Sequence, residues 1–408
     1  MVKRAGLVVL AIALAASLGF AVVRGQDGRA PDLVVHEWGT FTSVAGPDGQ
    51  AVPWHPLSGS SDLPCFVRLL SPGDVKVALS PGNTGAPVSW LSMLRARVRM
   101  ETPVLYFYSP RETTVDVRVQ FPHGLITEWY PQAVVPGPFY PINFSTAGSI
   151  SWRAVQVRPA AKPDFPTEPG SSHYYAARAT DAAPVAANGQ LEKFLFYRGL
   201  ADFPPALRAR ETGNNSVLIE NTDASVVPHL LLFESDGKNF GYRVATALGK
   251  HVTLARPALT SDLASLRRDL GAMLVAEGLF PKEAEAMLDT WRDSWFEPGL
   301  RVLYLVPRST ADAILPLAIT PAPQTTARVF VGRMEILTSE MQDTIARDLG
   351  RKDYLALSKY GRFLEPAMDQ MWNRASEGGR RQIEEAFASV SKILASAETT
   401  CQAPGNRH

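Results

Sequence analysis

Cysteine is almost absent from this chain: Cys65 and Cys401 are the two in 408 residues. No Cys-x-x-Cys pair occurs, which excludes thioredoxin-like redox motifs, c-type haem attachment and the usual thiolate zinc sites. In an oxidising compartment the two cysteines offer one bridge, tying the C-terminal tail to the N-terminal part. Otherwise Cys65, followed by Phe66 and Val67, is a small core residue. A P-loop, Gly-x-Gly-x-x-Gly and Gly-x-Ser-x-Gly are missing too, removing the best-marked nucleotide, dinucleotide and hydrolase classes. Ser389 to Lys392 spells Ser-x-x-Lys without the companion motifs of acyl-serine enzymes. Charge of one sign is also lacking, with 41 basic against 40 acidic residues and a formal net charge of +1. Without residues 1–25, which hold Lys3, Arg4 and Arg24, that charge becomes −2. Nothing global marks a nucleic-acid binder.

What is present begins with an address. Lys3 and Arg4 precede a nearly unbroken apolar run from Ala5 to Val23, the charge-then-hydrophobe layout of an export signal. The expectation is a periplasmic or extracellular protein. Residues 1–25 are either a cleaved signal or an anchor whose residues 5–23 span the membrane. No later stretch is apolar enough to cross. The remainder, with 46% hydrophobic and 20% charged residues, has the composition of an ordinary globular protein.

Directly after that segment, Leu33–Thr42 reads LVVHEWGTFT. On a strand, side chains alternate between faces, so Val34, His36, Trp38, Thr40 and Thr42 share one side, and Val35, Glu37, Gly39 and Phe41 the other. His36 and Glu37 therefore point apart, and His-Glu-x-x-His fails because residue 40 is Thr. Glu37 sits on the apolar side. A carboxylate buried there needs a cation or several donors, or else takes up a proton and becomes a candidate for acid–base work, since desolvating its charge costs several kcal/mol. The cluster, with METPVLYFYSP at 100–110, ITEWYP at 126–131 and DSWFEPGLRVLYLVPR at 293–308, resembles a group of uncharacterised exported bacterial proteins. That resemblance covers most of the chain after the signal and brings no activity with it.

From Leu33 to about Leu259, short β-branched and aromatic runs alternate with Pro, Gly, Asn and Asp, and 32 prolines bound many of them. The pattern predicts an α+β protein whose main body is an antiparallel β-sandwich or barrel-like structure. A helical hairpin is expected near 261–296, where Leu263, Leu266, Leu270 and Met273, then Ala284, Met287, Leu288 and Trp291, recur at helical spacing. Strands resume at Arg301–Pro307, Ala313–Ile319 and Arg328–Leu337. Residues 338–397 are expected to form a C-terminal helical bundle opened by the capping box Ser339 to Gln342, with breaks at Gly350, Pro366 and Gly378-Gly379. A tail, 398–408, follows.

Chemistry has few footholds. Glu37-Trp38 and Glu128-Trp129 repeat a dipeptide, and two carboxylates flanking a sugar would make a glycan-cleaving site. His36, His55, His123 and His173 lack any local ligand spacing, so a zinc site would need them to assemble in space with a carboxylate. Arg95, Arg97 and Arg99 alternate on one face as an anion-binding ridge, or as a solvated face paired with acids such as Glu101, Glu112, Asp116 or Glu128. His36 and Trp38 complete the candidate ligand-binding set. No resident metal or cofactor is expected. These observations favour a binding or scaffolding module for an envelope ligand or protein, with an envelope hydrolase acting through Glu37 and Glu128, or through a metal, as the alternative.

Overall fold

The computed structural model describes residues 29–57, 62–71, 74, 76–77, 93–140, 142–170 and 172–396. The export segment, Cys401 and the C-terminal tail lie outside the described residues. Cys65 is disulfide-bonded. The fold is α+β, with 27% helix and 40% strand.

A nine-stranded sheet organises the chain. In spatial order its strands are Phe240–Leu248, Val227–Ser235, Gly299–Leu305, Ala322–Ile336, Arg29–Ala45, Val98–Tyr108, Leu195–Ala201, Gly124–Tyr130 and Arg68–Leu69. The HEWGTFT strand is thus central. Its pairing with Ala322–Ile336 is parallel, from Val34 opposite Thr325 to Ala45 opposite Ile336, while the sheet's other pairings are antiparallel. Smaller sheets hold five strands, among them Thr113–Phe121 and Gly148–Val157, and three strands over Leu207–Ala255. None closes into a barrel, which corrects the barrel-like part of the expectation. Among the described residues the large sheet ends in two free edges instead.

Both faces of the central strand are covered, which explains why its pattern reads as near-continuous hydrophobicity. One face meets the five-stranded sheet through Val35, Phe41, Val117, Phe121 and Trp152. The other receives the helical hairpin through Trp38, Tyr106, Leu270, Met287 and Trp295. The hairpin consists of α1, Leu263–Ala276, and α2, Pro281–Trp295. Gly278 at φ +111° makes the turn that ends α1.

Past the hairpin the chain departs from expectation at Ala313–Ile319. Pro307 caps a short helix, α3, Arg308–Ile314, and Pro316 precedes a brief strand, Leu317–Thr320. Ala311 and Ala313 favour the helix, whereas the apolar alternation suggests a strand. Four helices close the described chain: α4, Ser339–Arg351; α5, Tyr354–Ser358; α6, Leu364–Trp372; and α7, Glu377–Ser396. Thr338, one residue before the expected cap, accepts the Met341 amide at 3.1 Å. Left-handed Lys352 ends α4. Pro366 and Gly378-Gly379 sit in the first turns of α6 and α7, where amides lack helical acceptors anyway, so they break nothing. Ile345, Leu357, Phe363, Met368 and Ile383 pack there with Val44, Trp54 and Leu337.

The parallel register sets Glu37 opposite Arg328. Arg328 Nε donates to Glu37 at 2.5 Å, and the Tyr197 hydroxyl donates to its other oxygen at 2.5 Å. Glu37 is fully buried. Glu37→Gln leaves the guanidinium without its buried counter-charge, so unfolding stability should fall by about 3 kcal/mol in urea titration. An unchanged midpoint would refute this structural role.

Candidate functional site

Polar side chains cross the hairpin-facing side of the large sheet as a band. Arg301, Arg333 with Glu335, Thr42, Arg99 with Glu101, Arg198 and Glu128 come from six strands. Their partners are specific. Arg301 Nε donates to Glu335 at 2.8 Å, Arg333 to Glu297 at 2.5 Å, Arg99 to Glu128 at 2.6 Å and the Thr42 hydroxyl to Glu101 at 2.6 Å. Arg362, from the turn before α6, reaches back to Glu101 and to Ser294. Burial alone would raise the carboxyls of Glu101, Glu128 and Glu297, but Arg362, Arg99 and Arg333 respectively outweigh it and hold each below the ordinary range.

Above this band lies a cavity of about 360 Å³. Its walls come from the loop at Asp62, the short 3-10 helix His173–Arg178, the C-terminal end of α2 and the turn at Gly361-Arg362. Its floor is Glu101, Thr102, Phe196 and Arg198. The strands are irregular here. Gly39 faces both Thr102 and Pro103, so the register slips between Trp38 and Thr40. Slips also fall between Phe196 and Gly199 and between Arg198 and Gly199 on the next two pairings. Thr102 adopts φ +48°, a costly conformation for a β-branched residue. A Cβ on Gly39 would sit 3.0 Å from the Pro103 Cα, so the crowded bulge requires glycine there.

His173 clasps the rim. Asp62 accepts from Nδ1 at 2.8 Å and Asp293 from Nε2 at 2.6 Å. Two acceptors on one ring require both nitrogens protonated, so the geometry is that of an imidazolium. The Asp62 bond, opposed by burial and aided by Asp293, raises the His173 pKa. Burial opposes ionisation of Asp62, but His173 and Arg198 together hold its carboxyl far below the usual range. Within the cavity wall, the Trp291 indole N–H is buried with no acceptor among the described residues.

No family model, no curated protein and no solved structure matches this chain.

The residues singled out from sequence separate in space. Glu37 lies on the face packed against the five-stranded sheet, and Glu128 on the hairpin side with Tyr130. Each carboxylate is bonded to an arginine, and the pair does not flank a common space, so the spacing a glycosidase requires is not formed by them. His36 is buried, with Nδ1 2.7 Å from Glu283, whose other oxygen accepts from the Tyr108 hydroxyl at 2.8 Å. Trp38 is core. Arg95 and Arg97, near the surface, pair with Asp369 at 2.5 Å and Asp202 at 2.6 Å, whereas Arg99 is buried; no single ridge results. His55 lies 3.0 Å from Glu365, His123 is exposed, and neither joins His36 or His173. Among the described residues no group of three or more His, Cys, Asp or Glu has metal-holding geometry.

Asp62, Thr102, Arg198 and Asp293 escaped the sequence reading, which placed Trp291 in the hairpin's apolar stripe. One signal for them existed: Glu-Thr-Pro inside a strand-like run, because proline within a strand marks a bulge. A second cavity of about 530 Å³ lies between Glu297 and α4. Its Arg256 is already matched by Glu234 and Glu211.

The His173 clasp has a defined pH signature. A histidine with a raised pKa contributes stability that is full below about pH 6.5, its unfolded value, and lost as pH climbs through the folded value. Asp62, with its pKa lowered, contributes above about pH 4 and loses that contribution as pH falls through its folded value. The melting-temperature gap between wild type and His173→Gln should be widest between about pH 4 and 6.5 and narrow on going alkaline. A gap that widens above pH 8 would contradict the clasp.

Proposed function

We propose that this protein is a ligand-binding module of the cell envelope and that its ligand occupies the cleft beneath α2. The body is read as a β-sandwich and helices α4 to α7 as a C-terminal bundle whose turn at Arg362 completes the cleft. Export rests on Lys3, Arg4 and the apolar run 5–23, either removed or kept as an anchor.

One observation carries the site: register breaks on three adjacent strand pairings converge under a single cavity, on the strained Thr102. A sheet gives up ladder hydrogen bonds where it re-aims side chains, and such bulges concentrate beside functional sites. The cavity size suits a small molecule rather than an enclosed polymer.

Binding is favoured over hydrolysis by the state of the acids. Glu101, Glu297 and Asp62 are held ionised, so none of them stores a proton for a leaving group at neutral pH. His173 has both nitrogens committed to carboxylates and is no free base.

The test is a screen of the purified protein against free amino acids, mono- and oligosaccharides and inorganic anions. Melting temperature and tryptophan fluorescence are both read. A cleft ligand should raise the melting temperature and change fluorescence in wild type, and the fluorescence change should vanish in Trp291→Phe. Stabilisation by a ligand whose signal persists in Trp291→Phe would place the site elsewhere. Release of shorter sugars from an oligosaccharide would favour the hydrolase.

A further inference from the structure

Arginines buried in this fold are matched to carboxylates. Arg99, Arg301, Arg328 and Arg333 each have a carboxylate oxygen within 2.8 Å, as does the partly buried Arg178. Arg198 departs from that rule. Its side chain is 14% exposed, and its nearest carboxylate oxygen, on Asp62, is 3.8 Å away. Its Nε and Nη2 both donate to one neutral acceptor, the hydroxyl of Thr102, at 3.2 and 3.1 Å. Nη1 makes no hydrogen bond among the described residues, and Arg198 lines the cleft.

Burial tends to depress the Arg198 pKa and nearby Arg99 adds to that, while Asp62, Glu128 and Glu101 oppose it. A guanidinium does not lose its proton in a protein, so the residue stays a cation whose direct contacts are the Thr102 hydroxyl and the Phe196 ring, 5.6 Å from the guanidinium, with no carboxylate in hydrogen-bond contact. Thr102 holds it in place from a strained backbone. Such strain persists where the surroundings enforce it, and here it aims a cation at an open space.

We propose that Arg198 is the receptor for the carboxylate of a zwitterionic ligand of the amino-acid class. This rests on the cleft being the ligand site. Arg198 Nη1 supplies a donor for the carboxylate, and Trp291 lines the same cavity. Asp293 Oδ1 and Glu297 Oε2, both lining the cavity and both without hydrogen bonds among the described residues, accept the ligand's ammonium. The same acidic wall disfavours a doubly charged anion such as phosphate, and the small cavity limits the ligand's length.

Isothermal titration with the twenty free amino acids, their carboxamides and inorganic phosphate tests the assignment. At least one amino acid should bind and change Trp291 fluorescence. Its carboxamide should bind at least about tenfold more weakly, since one charge-assisted contact is lost. Arg198→Gln should weaken binding by a similar factor, and Thr102→Ser, which keeps the hydroxyl, should retain it. If Arg198→Gln fails to fold, the carboxamide comparison on wild type decides alone. A neutral sugar that occupies the cleft and binds Arg198→Gln as tightly as wild type would overturn the carboxylate receptor while leaving the cleft as the site. Phosphate binding more tightly than every amino acid would overturn it too, as would no amino acid binding at all.

Discussion

Everything else in this structure depends on one buried contact between the two ends of the described β-body. Glu37, in the first described strand, and Arg328, in the last strand of the sheet, face each other across the parallel pairing. Glu37 is the buried counter-charge of Arg328, whose second carboxylate partner, Asp312 at 2.7 Å, is half exposed, and removing either buried ion leaves the other to bear the cost of its desolvation. The contact also selects register. Sliding the strand by one residue would send Glu37 to the hairpin face and Trp38 into the sheet interface, reversing every side chain at once. With ends 291 residues apart in sequence joined side by side at the centre, the intervening chain is confined to the two faces and flanks of one sheet.

The opposite face of the same strands solves a different problem. Its polar band is neutralised pair by pair, with Arg362 arriving from beyond α5 to complete Glu101. The match fails at one place, where three pairings lose register and Arg198 is left with a hydroxyl in place of a carboxylate. Regular pairing would have put those side chains at fixed pleat positions. The bulges turn them toward the junction of hairpin, 3-10 helix and C-terminal helices. Ordinary packing accounts for the core; the cleft needs this departure from it.

Much of the fold could be read from local pattern. The hairpin helices follow from Leu263 to Met273 and Ala284 to Trp291, and the alternation at Val115 to Phe121 marks a strand with one wet face, as its burial shows. Ala313–Ile319 is ambiguous by local pattern because its spacing fits a short helix and a strand equally well, and the flanking prolines decide between them. The polar band was less legible. Arg301, Arg333 and Glu335 each stand alone among apolar neighbours in separate segments, and nothing in a segment says which other segment holds its partner.

Composition and periodicity by themselves determined the α+β character, the hairpin and the requirement that a buried Glu37 find a cation, several donors or a proton, because those properties depend on neighbours within a few residues or on the chain as a whole. Only the tertiary structure decided that the cation is Arg328, that Glu37 and Glu128 lie on opposite faces, and that Asp62, Thr102, Arg198, Trp291 and Asp293 share one cavity. The physical reason is register: which residues meet across a sheet is set by the simultaneous packing of both its faces, a condition no single stretch of sequence contains.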